Sequence, residues 1–160
     1  MPTVKHGDGS LMVWGCMTAH GIGYICEVYD GRMNADDYVR ILDGDLTDTL
    51  NYYSLRNKDF IFQHDDDPKH TANVTKKYLY EQKKYTVLPW QAQSPDFNPI
   101  EHIWRHLKLK LAVYKQSARG VHELWERVQN EWNTFDADIC YSMPTKVKAV
   151  IDAKGGNTEC

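Results

Sequence analysis

Three consecutive aspartates, Asp65, Asp66 and Asp67, and a glutamate at position 101 are the side chains best suited to chemistry in this chain. The aspartates close a short apolar run, Phe60, Ile61 and Phe62, made of strand-forming residues. In α/β sheets, sites gather outside the carboxyl ends of strands. A carboxylate at such a tip is a candidate ligand for a divalent cation. The plainer reading is a solvated turn, because aspartate bonds its own backbone and tolerates unusual dihedrals.

The surrounding residues fix where these acids stand. Pro68 stops the strand, and Thr71 or Asn73 offers a helix cap ahead of Val74, Tyr78 and Leu79. A second strand-like run, Tyr85-Thr-Val-Leu-Pro-Trp90, precedes a loop to Asn98. Asn98 is a good cap and Pro99 suits the first helical position. Ile100, Ile103, Trp104, Leu107 and Leu111 then mark the buried stripe of a helix. Glu101 falls at its third position, where a glutamate can close a capping box.

Two long motifs carry more than these local signals. They are Phe60-Ile-Phe-Gln-His-Asp-Asp-Asp-Pro-Lys-His-Thr-Ala72 and Gln91-Ala-Gln-Ser-Pro-Asp-Phe-Asn-Pro-Ile-Glu-His-Ile-Trp104. Together, and in this order, they closely resemble the signature of the Tc/mariner superfamily of DNA transposases. The resemblance begins near Val4-Lys5-His6-Gly7, includes Met12-Val-Trp-Gly-Cys16 and reaches Lys154-Gly-Gly156. It implies that Asp65 and Glu101 are the second and third catalytic carboxylates and metal ligands. It implies a divalent cation, Mg2+ or Mn2+. Two such ions about 3.5–4 Å apart can activate an oxygen nucleophile and stabilise a leaving oxygen. The chemistry implied is DNA cleavage and strand transfer in cut-and-paste transposition.

The resemblance also implies DNA partners (transposon ends and target), a homodimer in intact family members and a nuclear location in a eukaryote, otherwise a cytoplasmic one. Lys69 and His70 are expected near the DNA backbone or holding the turn. Arg105 and Lys108 are expected among the phosphate contacts. Departures from the family pattern are His64, Asp66 and Gln91, none of which removes a metal ligand. The family's first catalytic aspartate, on a strand ahead of the Val4 stretch, and its paired helix-turn-helix modules have no counterpart here. The alternative is therefore a catalytically dead remnant serving as a nucleic-acid- or protein-interaction module.

The fold class expected is α/β, an RNase H-like (retroviral integrase-type) fold lacking its first strand, with a mixed sheet flanked by helices. That strand's place lies between the leading hairpin and residues 60–62. Either the hairpin slides to pair with 60–64, or the isolated chain is poorly stable.

At 160 residues the chain suits one domain, residues 1–160. Hydrophobic content of 42% and aromatic content of 12% exclude a disordered chain. No apolar run approaches a membrane span, and no signal segment opens the chain. Four scattered cysteines without a C-x-x-C pair favour reduced thiols in an intracellular protein. Nineteen basic against 22 acidic residues give a charge of −3, without the basic footprint of a dedicated nucleic-acid binder.

The remaining elements read simply. Residues 11–14 and 23–29 form a hairpin across Gly21 and Gly23. Asn34 or Asp36 caps a helix bearing Tyr38, Ile41, Leu42 and Leu46, and residues 51–59 are a polar connection. A helix spans 121–135, and a last one from about Ser142 ends at Gly155-Gly156. His102 and His106, one turn apart, have the spacing of a zinc pair, but no third ligand stands at a recognisable spacing.

Overall fold

Strand β2 (Gly9–Thr18) is the seam of the molecule. In the computed structural model, which describes residues 3–6, 9–28, 31–88 and 98–141, it pairs antiparallel with β1 (Thr3–His6) and with β3 (Gly21–Val28). The sheet order is β1-β2-β3. Strand side chains alternate between faces, and β2 uses both. Leu11, Val13 and Met17 belong to one apolar cluster, while Met12, Trp14 and Cys16 belong to another. A register irregularity between Gly15 and Met17 interrupts the ladder with β3.

One face is covered by the helices that follow the hairpin. Asn34 caps α1 (Ala35–Ile41), accepting from the Asp37 N–H, while the Asp37 carboxylate accepts from the Asn34 N–H. The helix continues through a widened turn (Leu42–Leu46) into α2 (Thr47–Tyr52), so it runs past the point where sequence placed a polar connection. Tyr38, Leu42, Leu46 and Leu50 pack with Trp14, Val28 and Phe62. Burying each such side chain stabilises the fold by roughly 1.5–3 kcal/mol.

Residues 60–62 are extended, as expected, but their pairing is a single parallel bridge between Phe62 and Val87. The Phe62 N–H donates to Thr86 O and its carbonyl accepts from the Leu88 N–H, both at 2.8 Å. The following helix begins earlier than sequence suggested. Asp67, not Thr71 or Asn73, caps α3 (Pro68–Thr71). A break at Ala72 leads into α4 (Asn73–Lys76) and a second widened turn (Lys77–Gln82).

The other face is covered by α5 (Pro99–Ala112) and α6 (Val121–Trp132), with short α7 (Asp138–Tyr141) after them. Ile103, Trp104, Leu107, Leu124, Val128 and Trp132 pack with Leu11 and Val13. The buried Trp132 indole N–H donates to Gly23 O at 2.9 Å, tying α6 to β3. The helix expected from Ser142 lies outside the described residues, as does the loop before Asn98.

The expected slide of the hairpin against residues 60–64 does not occur. β1 takes the start of that β2 edge instead, pairing as far as Met12. Its Thr-Val-Lys-His sequence alternates weakly and is bounded by Gly7 and Gly9, which hides it from a pattern reading. The architecture is a mixed α/β fold, with helices on both faces of a small antiparallel sheet and a separate parallel bridge beside it.

Candidate active site

Asp65 follows the bridge strand directly and leaves its carboxylate 40% exposed. Its Oδ1 accepts from the Asp67 N–H at 3.2 Å, the own-backbone bonding of an aspartate turn. A second bond is less ordinary. His70 Nδ1 stands 2.5 Å from Asp65 Oδ1 and 3.2 Å from the Asp65 carbonyl oxygen. That hydrogen bond from His70 holds the Asp65 carboxyl far below the usual range, against the opposing effect of partial burial. Asp65 is thus an ionised carboxylate fixed in direction and open to solvent on one side.

His70 is itself buried, at 6% exposure, because α3 turns it inward. Its ring lies 4.1 Å from that of Tyr38 and stacks on His64 with centroids 5.2 Å apart. The Tyr38 hydroxyl meets His64 Nδ1 at 3.1 Å. Burial pushes the His64 imidazole down to about 4, so it is neutral at pH 7. His70 Nε2 is buried and has no hydrogen-bond partner among the described residues. Of the two roles sequence offered His70, its surroundings fit the one of holding the turn.

Glu101 occupies the first turn of α5 and is exposed. The capping box does not form: Asn98 makes no side-chain cap bond, and the Glu101 N–H donates to the Asn98 carbonyl at 3.1 Å. Glu101 is among the residues lining a cavity of about 400 Å3, as are Asp65, His64 and His70. Residues 36 positions apart in sequence thus face one space, one from the strand tip and one from a helix start.

The expected nucleic-acid contacts divide. Lys69 is largely buried and pairs with Asp67 at 2.5 Å, so it serves the turn. Arg105 and Lys108 are exposed on α5. His102 and His106 do approach, with Nε2 atoms 3.1 Å apart, but no described group of three His, Cys, Asp or Glu side chains has the arrangement of a metal site. The Tyr38–His64–His70 stack escaped sequence reading. Its members lie on separate elements, and no spacing rule relates them.

Comparison with known proteins places this geometry in a lineage. Residues 2–124 match the model of the DDE superfamily endonuclease family. Over 99% of its length the chain is 35% identical to the Transposable element Tc1 transposase of Caenorhabditis elegans, and 35% identical to the Tcb1 transposase of Caenorhabditis briggsae. It spans 57% of each of those proteins. Among solved structures, the Mos1 transposase catalytic domain with raltegravir and manganese superposes with a TM-score of 0.81 at 21% identity, covering 99% of this chain and 82% of that one. The Mos1 paired-end complex with the left transposon end gives 0.78 at 20% identity, covering 99% and 48%. These superpositions bear out the RNase H-like fold expected from the motifs. The chain belongs to the DDE superfamily of endonucleases, among relatives of the Tc/mariner transposases.

Proposed function

We propose that this chain forms the core of a Tc/mariner-type transposase catalytic domain, with Asp65 and Glu101 as ligands of a divalent cation, Mg2+ or Mn2+. The observation that carries this reading is the convergence of both carboxylates on one cavity. The donor set fits such an ion: oxygen only, one member held ionised by His70, both reachable by water. When bound, the cation supplies charge for activating an oxygen nucleophile and stabilising the leaving oxygen of a phosphodiester.

The protein's own residues do the positioning. His70 fixes the direction of the Asp65 carboxylate, and Pro99 and Asn98 set the start of α5 that presents Glu101. Arg105 and Lys108 offer charges to a DNA backbone. The partners of this reading are transposon ends and target DNA, with a homodimer as the working assembly and the nucleus as the location. No described helix is long and apolar enough to cross a membrane.

The test is Mn2+ titration of the purified chain by electron paramagnetic resonance. Binding that is weakened in both Asp65→Asn and Glu101→Gln, with folding intact by circular dichroism, supports the shared site. Binding unchanged in either variant removes that residue from it. A non-catalytic reading draws on one observation, the lack of a three-ligand group among the described residues. It predicts no Mn2+ binding at all.

A further inference from the structure

His102 and His106 stand one turn apart on α5, and their rings converge. The two Nε2 atoms are 3.1 Å apart, with ring centroids at 4.3 Å and planes crossed at 79°. Imidazole nitrogens bind zinc at about 2.0–2.1 Å. Two of them on one ion therefore stand about 2.9 Å apart at a right angle and about 3.3 Å apart at the tetrahedral angle. The observed separation lies between these values. Both side chains are half-buried beside the buried Ile103 and Leu107. Partial burial narrows the rotamers open to each ring, which lowers the ordering cost of chelation.

This pair lies apart from the acid cavity. An α-helix turns about 100° per residue, which puts His102 about 100° and His106 about 140° around α5 from Glu101. Ile100, Glu101 and Trp104 line the cavity, and neither histidine does. The donors differ in preference too, since imidazole suits zinc, nickel and copper while carboxylate oxygens suit Mg2+ and Mn2+. We propose that His102 and His106 form a second metal site on α5, chelating one Zn2+ through their two Nε2 atoms. A neutral imidazole with its proton on Nδ1 presents a lone pair at Nε2 for this purpose. No third His, Cys, Asp or Glu among the described residues completes the set. Water fills the other positions, so the ion exchanges readily. A hydrogen bond between the rings, one Nε2–H donating to the other Nε2, gives the same separation without metal. Zinc binding moves the donating ring to its Nδ1–H tautomer and engages both nitrogens at once.

The test is Zn2+ titration of the full 160-residue chain, read by long-range proton–nitrogen correlation NMR of the imidazoles. His102→Gln and His106→Gln assign the two rings, and circular dichroism checks that each variant folds. The expected result is that both Nε2 signals shift together, with one midpoint, and saturate. Either substitution should weaken Zn2+ binding at the remaining ring by about tenfold or more, because a lone imidazole loses the effective concentration of its partner. Asp65→Asn combined with Glu101→Gln should leave the histidine shifts in place, and His106→Gln should leave Mn2+ binding in place. Failure of one site therefore does not decide the other. The proposal fails if the Nε2 signals stay unmoved at about 1 mM Zn2+, where even a millimolar site would be half filled. It also fails if the two rings shift with different midpoints, if either single variant binds as tightly as wild type, or if the double acid variant abolishes the shifts.

Discussion

His70 Nδ1 lies 2.5 Å from Asp65 Oδ1, and the histidine that makes this contact is almost entirely buried against Tyr38. The carboxylate proposed to hold a cation is therefore held from inside the protein. A hydrogen bond to a charged group contributes roughly 1.5–3 kcal/mol. His70→Ala should lower stability by about that amount and also weaken Mn2+ binding, because Asp65 loses its fixed direction. His70→Asn, which keeps a donor near the same position, should recover the metal affinity more fully than the stability. Urea unfolding beside the Mn2+ titration reads both, and equal affinity in wild type and His70→Ala would refute the positioning role.

The buried His64 makes stability depend on pH. The folded chain holds this imidazole at about 4, while the unfolded chain titrates near 6.5. Between these values the unfolded state binds more protons, so stability falls as pH drops from about 6.5 toward 4. The loss should be roughly 1–3 kcal/mol for a group that remains partly exposed. His64→Gln should flatten that window. Asp65 acts in a lower one, since its depressed carboxyl stabilises the fold above about pH 4 and loses that effect as pH falls further. Melting temperatures at pH 7, 5.5 and 4.5 for wild type and His64→Gln provide the check, and parallel curves would count against His64.

The isolated chain should leave DNA uncut. The two proposed ligands, Asp65 and Glu101, line the cavity, and no group of three His, Cys, Asp or Glu among the described residues has the arrangement of a metal site. The measurement is nicking of supercoiled plasmid with Mg2+ or Mn2+. Nicking by wild type that disappears in Asp65→Ala would show that two carboxylates suffice.

DNA binding should be weak and strongly dependent on salt, since the net charge is −3 and the exposed cations Arg105 and Lys108 sit on one helix. Each phosphate contact contributes about −0.9 to the slope of log K against log salt. The double substitution Arg105→Ala with Lys108→Ala should reduce that slope by about 2. An unchanged slope would place the contacts elsewhere, for instance on Lys76 and Lys77.

Gly23 is a point where both layers close on the sheet. A Cβ there would stand 2.5 Å from Cys16 Sγ and from Thr49 Cγ2, while Gly23 O accepts the Trp132 indole bond on the other side. Gly23→Ala should cost about 1–3 kcal/mol through overpacking. A melting temperature equal to wild type would mean that α2 yields without loss.

Much of this arrangement was legible in the sequence. Asn98 and Pro99 announced α5, and Phe60, Ile61 and Phe62 announced the extended segment, because caps and apolar runs are local signals. The motif spacing brought Asp65 and Glu101 to notice as a pair, and the structure sets them on one cavity. What stayed hidden is tertiary. The inward turn of His70 depends on Asp67 capping α3, and the stack with Tyr38 and His64 joins elements far apart in sequence. The widened turns at Leu42–Leu46 and Lys77–Gln82 preserve the apolar stripe closely enough that a 3.6-residue period passes over them.

The alternating faces of β2 have a mechanical meaning. Asp65 travels with the lobe built on Trp14, Tyr38 and Phe62, and Glu101 with the lobe built on Val13, Trp104 and Trp132. Like two leaves bound on a single spine, the lobes fix the spacing of the acids only through how each leans on that strand. The spacing of the two acids is therefore set by how the two clusters pack against opposite faces of β2, and by neither cluster alone.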